Sequence, residues 1–348
     1  MRKFDYSFLK MESLPMELLN ITNSISELKA LAGVRKDDNK EVFVKLESVA
    51  KVQSVKGSNA IEGIITTDKR IEEIVNNSSA PLNHNEMEIA GYRDALNLIH
   101  ENYAMLSLSE NLILRLHDML LSYTGYQGRG LYKVDDNVIM EMDEFGNRKV
   151  RFSPTPAYET QAAMEQLIFA YQDAVSDSAI NHLLLIPCFI LDFLCIHPFA
   201  DGNGRMSRLL SLLLLYKNGI EVGKYISYEE QINKHKGWYY ESLKESSDNW
   251  ESNGNSYLPF IKNFLTMLYS CYKELDKRFA IVHGKKVSKK SRIEDAVMNS
   301  LIPISKKEIA DILPDVSPST IEAVLSKMMK DDIVEKIGSY KNAKYIRK

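Results

Sequence analysis

Two consecutive apolar segments limit the folds open to this chain more than any other feature. They read NHLLLIPCFILDFLCI from residue 181 and RMSRLLSLLLLYKNG from residue 205, and apolar residues occur on nearly every side of each predicted helix. A helix that is hydrophobic all round is normally covered by other elements. Both segments fall short of the ~20 apolar residues that span a membrane, and Pro187 and Asp192 interrupt the first. We therefore predict that these helices lie at the centre of a bundle.

Most of the remaining chain also has the periodicity of amphipathic helices. Apolar residues recur at steps of three and four, which places them on one helix face. The segments with this pattern are 41–64, 108–121, 155–175, 235–247 and 257–275. Ser109 and Thr155-Pro156 are typical of helix starts, and Gly219 is typical of a helix end. The fold class is predicted to be mainly all-α.

One segment departs from the helical pattern. NVIMEMDEFGNRKVRFSP, from residue 137, alternates apolar and polar residues on both sides of Gly146-Asn147 and predicts a β-hairpin at about 138–153. Because no other strand is predicted near it, the hairpin has a free edge that can pair with an extended segment of another chain.

Residues 285–348 differ from the rest of the chain in charge. They carry 14 Lys and Arg against 9 Asp and Glu, whereas the net charge of the whole chain is −3. A basic linker at 283–292 precedes three short helices and two strands around GSYKN (338–342), which is the element order of a winged helix-turn-helix domain. DNA is one predicted partner. The lysines that would face it are Lys327, Lys330, Lys341 and Lys344. A protein-binding or dimerisation module is the alternative, because the third helix has no arginine to contact guanine.

Cysteine use and the N-terminal sequence indicate a cytoplasmic protein. Cys188, Cys195 and Cys271 form no CxxC pair, and two of them lie in an apolar run, which is typical of buried thiols rather than disulfides or zinc ligands. The N-terminal sequence MRKFDYSFLKMESLP has no continuous apolar stretch like that of a signal peptide. No segment is predicted to enter a membrane.

The loop between the two apolar helices has the composition of an anion site. Gly202, Asn203 and Gly204 lie at a predicted helix N-terminus, where free N–H groups and the helix dipole favour an anion. Glycine lets a phosphate approach the backbone closely. Arg205 and Arg208 are three residues apart on one helix face, and their guanidinium groups can donate to phosphate oxygens.

The same loop carries a base and an acid. His197 can accept a proton from an attacking hydroxyl near neutral pH. Asp201 is the kind of oxygen ligand that holds Mg²⁺ together with nucleotide phosphates. Each feature alone is commonly structural, since a histidine before proline and a GNG turn are ordinary at helix ends. Together, beside helices where an unpaired charge is costly, they predict phosphoryl or nucleotidyl transfer.

The sequence HPFADGNGRMSR, residues 197–208, resembles the HPFx(D/E)GNGRxxR signature of the Fic family without departure. Members of that family are helical and typically transfer AMP from ATP to a Ser, Thr or Tyr hydroxyl of a target protein. The resemblance extends to the hairpin and covers most of residues 1–280. It implies a protein adenylyltransferase that modifies a target and itself. The predicted domains are an N-terminal helical region (1–105), a catalytic domain (106–280) and the winged helix (285–348).

The resemblance also implies a role for each motif residue. His197 would be the general base, Asp201 would hold Mg²⁺ between the α- and β-phosphates of ATP, and Phe199 would fix the loop. The residues that would bind the nucleotide are Gly202, Asn203, Gly204, Arg205, Arg208 and Tyr240. Tyr240 is open to a second interpretation as a packing residue. The hairpin would be the flap that docks the target by strand addition, and relatives often form homodimers.

A second motif precedes the first by more than a hundred residues. SNAIEG, residues 58–63, matches the inhibitory pattern (S/T)xxxE(G/N) of many Fic proteins, with Ser58 and Glu62 on one helix face and Gly63 at the helix end. The resemblance implies that Glu62 pairs with Arg208 in cis, which would displace the γ-phosphate and misalign ATP. Without the resemblance, Glu62 would be interpreted as a solvated acid at a helix end.

Two other functions stay open at this point. The chain could be a DNA-binding regulator whose Fic region senses nucleotide without transferring it, although that role would not need His197. It could instead be a Fic enzyme that transfers another phosphate-containing group. Gly204 argues against the kinase-like branch of the family, which has lysine at this position.

Overall fold

The computed structural model describes residues 2–11, 15–142, 148–283, 288–298, 303–338 and 343–347. The chain divides into two compact units, residues 1–272 and 273–348. The predicted domain boundaries at 105/106 and 280/285 stay predictions. Within the described ranges, no helix combines the length and the apolar character that crossing a membrane requires.

Helices form most of the first unit. Before the hairpin these are α1 (Phe8–Met11), α2 (Met16–Asp38), α3 (Lys40–Ile61), α4 (Asp68–Asn77), α5 (His84–Asn102) and α6 (Glu110–Leu120). The strands are β1 (Ile139–Met142) and β2 (Arg148–Phe152). The helices after them are α7 (Ala157–Val175), α8 (His182–Ile196), α9 (Asn203–Lys217), α10 (Tyr228–Lys234), α11 (Lys236–Ser247) and α12 (Leu258–His283), which continues into the second unit. The predicted fold class, mainly helical with a β-hairpin, is confirmed.

The two apolar helices α8 and α9 lie in the core of the first unit, as predicted. α8 packs against α7 and α9, and α9 also contacts α5 and α3. Nearly every side chain of both helices is buried, and each buried leucine or isoleucine contributes about 1.5–3 kcal/mol. The loop that joins the two helices therefore starts and ends at firmly packed points.

Asp192, in the middle of α8, ties the N-terminal segment to this core. Its buried carboxylate accepts hydrogen bonds from the hydroxyl of Tyr6 (2.8 Å), Nε1 of Trp250 (2.7 Å) and the hydroxyl of Tyr257 (2.9 Å). A buried carboxylate needs such donors, so the acid that interrupts the apolar segment is satisfied inside the core.

The hairpin of β1 and β2 is antiparallel, with Met140 opposite Val150 and Glu141 opposite Lys149. Lys244 of α11 donates to Glu141 (2.8 Å), which fixes β1 to the helical body. Met140 and Val150 are exposed. The predicted turn residues Gly146-Asn147 lie outside the described residues.

The second unit contains the helices and strands predicted for it and one more strand. Its helices are α13 (Lys289–Met298), α14 (Lys306–Ile312) and α15 (Pro318–Lys330), and its strands are β3 (Ile304–Ser305), β4 (Val334–Ile337) and β5 (Lys344–Arg347). The strands form an antiparallel sheet in the order β3-β5-β4. The sequence does not predict β3, because two residues are too few to show alternation. The winged-helix assignment stays a prediction, and Lys341 lies outside the described residues.

Candidate active site

The loop between α8 and α9 places the three predicted anion-site residues at a helix N-terminus. α9 begins with Asn203 and Gly204, and Gly202 precedes it with a positive φ of 82°. At the other end of the loop, His197 has a left-handed φ of 51°. That conformation costs a non-glycine residue about 1–2 kcal/mol, so the surroundings must hold it. The free N–H groups of α9 and its dipole favour an anion here.

The side chain of Asn203 holds the loop closed. Its amide nitrogen donates to the carbonyl of Phe199 (2.7 Å), and its amide oxygen accepts from the N–H of Phe199 (3.0 Å). Phe199 is fully buried and stacks on His117 with the ring centroids 3.7 Å apart. The amide of Asn203 is thus engaged within the loop, and its backbone N–H is the group at the helix N-terminus.

His117 of α6 is a site residue that the sequence does not reveal. Its Nδ1 accepts from the N–H of Gly130 (3.0 Å), so Nε2 carries the proton and donates to the carbonyl of Asp201 (3.0 Å). Burial lowers the pKa of His117 to about 4, which keeps the ring neutral at pH 7. In the sequence, His117 is only a polar residue on the apolar face of a predicted helix. Such a residue is more often a hydrogen-bonded core histidine than part of a functional site.

His197 has the tautomer that a general base requires. Its Nδ1 lies 3.2 Å from the carbonyl oxygen of Leu194. A carbonyl can only accept, so Nδ1 carries the proton and Nε2 presents a lone pair in the neutral ring. Burial lowers the pKa of His197 to about 4. The neutral, proton-accepting form is therefore the one present around pH 7.

Arg208 of α9 is buried and engages the end of α3. Its Nε donates to Oγ of Ser58 (2.8 Å), and its Nη2 donates to the carbonyl of Ser58 (2.9 Å) and to Oε1 of Glu62 (2.8 Å). Ser58 and Glu62 come to the same arginine because they are one helical turn apart. α3 ends at this point, since Gly63 follows with a φ of 79°.

Glu62 is a carboxylate in close contact with the predicted anion site. Burial alone would raise its pKa, but the charge of Arg208 and its hydrogen bond hold the pKa of Glu62 below the ordinary value. A Cβ added at Gly204 would overlap Oε1 of Glu62. The second glycine of the GNG sequence thus leaves room for an acidic oxygen, and that oxygen stands next to the helix N-terminus.

The middle of α3 is fixed to α10 and α5 by a buried acid. Glu229 of α10 accepts from the hydroxyl of Tyr92 (2.9 Å) and from Oγ of Ser54 (2.8 Å). Gly57 of α3 lets the helices meet closely, because a Cβ there would lie 3.0 Å from the α10 backbone. The position of Glu62 is therefore set by packing further back along its own helix.

α11 contacts the C-terminal end of α3 through a hydrogen bond. Nζ of Lys236 donates to the carbonyl of Ile61. Tyr239 is buried, whereas Tyr240 is 39% exposed, and their rings pack edge to face. Burial first, and then the charge of Glu62, raise the pKa of the Tyr240 phenol, so this ring lies near the carboxylate. Its predicted place beside the nucleotide stays a prediction.

Arg205 is buried and lies close to two acids, Glu88 and the exposed Asp201. Nη1 of Arg205 lies 2.6 Å from Oε2 of Glu88, and Nη2 lies 3.6 Å from Oδ2 of Asp201. Oδ1 of Asp201 accepts from the N–H of Gly202 (2.6 Å), and the side chain is 64% exposed. The sequence pattern does not indicate Glu88, which partners Arg205 from α5.

The surroundings of Asp201 fit a magnesium ion that is shared with a nucleotide. In the ranges that the structure describes, no three His, Cys, Asp or Glu side chains are grouped to hold a metal. A single exposed carboxylate beside an anion site supplies one ligand, and phosphate oxygens and water supply the others, which is how Mg²⁺ usually binds in nucleotide sites. Asp201 is the residue that would hold it.

Comparisons with known proteins show what part of this chain is similar to. Residues 107–215, which include the loop, match the Fic/DOC family. The chain is 32% identical over 87 residues to a Fido domain-containing protein of Dictyostelium discoideum, and 33% identical over 118 residues to a probable protein adenylyltransferase of Aquifex aeolicus. These matches cover 25% and 32% of this chain and 58% and 31% of the respective relatives.

The fold is similar to that of a crystal structure of a Fic family protein from Desulfovibrio desulfuricans. The TM-score is 0.62, with 20% identity and 97% of each chain covered. At that identity the likeness concerns the fold alone. Residues 107–215 are thus similar in sequence to the Fic/DOC family, and the chain shares the fold of this Fic family protein.

Proposed function

We propose that this chain is a protein adenylyltransferase that transfers AMP from ATP to a hydroxyl of a target protein and of itself. The observation that carries the proposal is the arrangement at the N-terminus of α9. There, a proton-accepting Nε2 of His197, an exposed carboxylate of Asp201 and two buried arginines meet an anion site. The similarity to the probable protein adenylyltransferase of Aquifex aeolicus supports the same activity.

The chemistry is a displacement at the α-phosphorus of ATP. The hydroxyl oxygen of the target forms a bond to that phosphorus, and the bond from phosphorus to the oxygen bridging the β-phosphate breaks, so pyrophosphate leaves. The hydroxyl proton passes to Nε2 of His197, which is neutral at pH 7. Mg²⁺, held by Asp201 and the phosphates, would neutralise the charge that develops on the leaving group.

The remaining groups hold and orient the substrates. N–H groups at the start of α9 and the guanidinium of Arg205 stabilise phosphate oxygens. The exposed pair Met140 and Val150 and the free edge of the hairpin offer a place for an extended target segment to add as a strand. This role of the hairpin belongs to the proposal.

We further propose that Glu62 inhibits the enzyme in cis. Its Oε1 stands 2.8 Å from Nη2 of Arg208 and against Gly204. A γ-phosphate that used Arg208 would meet this carboxylate, and the triphosphate would shift. A misaligned α-phosphorus loses the in-line geometry, which alone can be worth several kcal/mol of the barrier.

The direct test is transfer of labelled phosphate. The protein is incubated with Mg²⁺ and ATP labelled at the α- or the γ-position, using wild type, Glu62→Gly and Glu62→Gly/His197→Ala. We expect label from the α-position only, strongest in Glu62→Gly and absent without His197. Label from the γ-position would mean a kinase. Bound nucleotide without transfer of either label would favour a nucleotide-sensing regulator or another transferred group.

A second candidate function, DNA binding, concerns residues 273–348. Lys327 and Lys330 on α15, Lys336 on β4 and Lys344 on β5 are all exposed in this unit. Phosphate contacts of this kind make affinity fall steeply with salt.

We expect the full chain to bind a short DNA duplex at least about tenfold more tightly at 50 than at 200 mM salt. The double variant Lys327→Glu/Lys330→Glu is expected to lose most of this binding, and Lys217→Glu, an exposed lysine of α9, serves as the matched control. An absence of binding at the lower salt would rule DNA out as a partner.

A further inference from the structure

One short segment, residues 133–137, holds four consecutive carbonyl groups at the start of the motif loop. The N–H of Lys133 donates to the carbonyl of Pro198 (2.9 Å), and its Nζ donates to the carbonyl of Ile196 (3.1 Å). Nδ2 of Asn137 donates to the carbonyl of Phe199 (3.1 Å) and lies 3.5 Å from that of His197. The carbonyls of residues 196–199 are thus all directed at this segment.

Lys133 and Asn137 are also bonded to each other. Nζ of Lys133 donates to Oδ1 of Asn137 at 2.8 Å, and Lys133 is 5% exposed. A buried ammonium group is costly unless it has polar partners, and here its acceptors are a loop carbonyl and an amide oxygen. The C-terminal carbonyls of a helix have no partner inside the helix. An amine that binds the carbonyl of Ile196, the last residue of α8, therefore helps to fix the direction in which the chain leaves the helix.

These hydrogen bonds fix the backbone conformation of His197. It is the non-glycine residue of the loop in a left-handed conformation, which persists only where the surroundings determine it. With the carbonyls on both sides held by one segment, the backbone of His197 cannot relax, and its imidazole is aimed by the hydrogen bond to Leu194.

Lys133 also acts on His197 through its charge. After burial, which is the main cause, the charge of Lys133 lowers the pKa of His197, whereas the Leu194 carbonyl, Glu62 and Asp201 raise it. Lys133 itself has a pKa lowered to about 8 by burial. It therefore stays charged throughout the acid range in which His197 would gain a proton.

We propose that Lys133 and Asn137 are positioning residues for the transfer reaction, because they fix the backbone that carries His197, and that the charge of Lys133 adds to the effect of burial in disfavouring protonation of the imidazole. This inference rests on the proposed function and adds two residues that do not touch the reacting atoms. Both residues hold the backbone, whereas only Lys133 carries a charge that acts on the imidazole.

The test uses the full chain with Glu62→Gly as the common background. We expect Lys133→Met to lower kcat about 10- to 100-fold with KM for ATP within about threefold, since a small misplacement of a catalytic group has effects of this size. Lys133→Arg is expected to restore most of kcat. Asn137→Ala is expected to lower kcat about tenfold by the same reasoning. Lys217 is an exposed lysine of the same central helix pair, and Lys217→Met should leave kcat and KM unchanged.

The charge claim has a readout that does not depend on activity. In an NMR titration, the imidazole of His197 is expected to gain its proton at a pH about 0.5 higher in Lys133→Met than in the background, and at an unchanged pH in Lys133→Arg and Asn137→Ala. An unchanged titration in Lys133→Met would overturn the charge claim, and an unchanged kcat in both Lys133→Met and Asn137→Ala would overturn the geometric one.

The outcomes separate this inference from the proposed function. If His197→Ala abolishes transfer but Lys133→Met and Asn137→Ala do not reduce it, the adenylyltransferase stands and the positioning role fails. If no variant transfers AMP, the proposed function fails, and the positioning role for transfer fails with it. The NMR titration still shows in that case whether Lys133 affects protonation of His197. If Lys133→Met does not fold, the kcat values of Asn137→Ala and Lys133→Arg are compared with that of the background instead. A normal kcat in Asn137→Ala would then contradict the inference.

Discussion

Replacement of Glu62 by glycine is expected to raise the rate of AMP transfer at least about tenfold, as the return of in-line alignment would allow. Oε1 of Glu62 accepts a hydrogen bond from Nη2 of Arg208 (2.8 Å), and the side chain of Glu62 is only 32% exposed. Glu62 is therefore well placed to exclude a phosphate. Once the carboxylate is gone, Arg208 keeps its bonds to Ser58, and the N–H of Nη2 that Glu62 had accepted becomes available to a phosphate. The measurement is the initial rate of label transfer from α-labelled ATP.

The matched control is an acid on the same helix. Glu41 lies in the first turn of α3 and is exposed, so Glu41→Ala changes the charge of the helix without touching Arg208. An equal rise in Glu41→Ala, or an unchanged rate in Glu62→Gly, would contradict inhibition in cis.

Thermal unfolding gives a second readout for the same change. Removal of Glu62 leaves Arg208 without its carboxylate partner in a buried place, which destabilises the protein. A bound triphosphate would supply the missing anion, and a ligand stabilises the state that binds it. We therefore expect Mg-ATP to raise the Tm of Glu62→Gly by more than it raises the Tm of wild type.

The contact between Glu62 and Arg208 shows what a sequence can reveal about a site. The two residues are 146 positions apart, and nothing in their local patterns relates them. The family resemblance names them as a pair, and helical geometry then explains why Ser58 reaches the same arginine. Packing of Gly57 against α10 and the bonds of Glu229, which fix the register of α3, are properties of the folded chain.

The two arginines of the motif show where sequence reasoning ends. Their spacing predicts a shared helix face beside apolar helices, which implies that each needs an anionic partner. Both are buried, and each has one: Glu62 for Arg208 and Glu88 for Arg205. Only the first partner lies in a recognisable motif. Glu88 lies within α5, where an acid would ordinarily be assigned to a solvated face.

Residues that act through the backbone are the hardest to predict. His117, Lys133 and Asn137 bind main-chain carbonyls of the loop, and every residue offers such a carbonyl, so their partners leave no trace in the sequence. The longer helices are different, because apolar periodicity over ten or more residues determines which face is buried. β3 is again too short for that signal, and only pairing with β5 makes it a strand.

Replacement of His197 by alanine in the Glu62→Gly background is expected to lower kcat by about 10²–10⁴, the usual contribution of a general base. His197 is the residue whose Nε2 is free to accept a proton, because Nδ1 is committed to the carbonyl of Leu194. His182 starts α8 at the end opposite the loop, so His182→Ala is the matched control and should retain the rate.

The pH dependence of the rate tests the same assignment. Because burial lowers the pKa of His197 to about 4, the neutral base persists as the pH falls, and the rate should be nearly flat from pH 8 to about 6 and decline only towards about pH 4. An ordinary exposed histidine would instead lose activity through pH 6.5. ATP affinity should be unchanged in His197→Ala, because the anion site and both arginines remain in place. A loss of ATP binding equal to the loss of rate would mean that His197 holds the nucleotide and that another group accepts the proton.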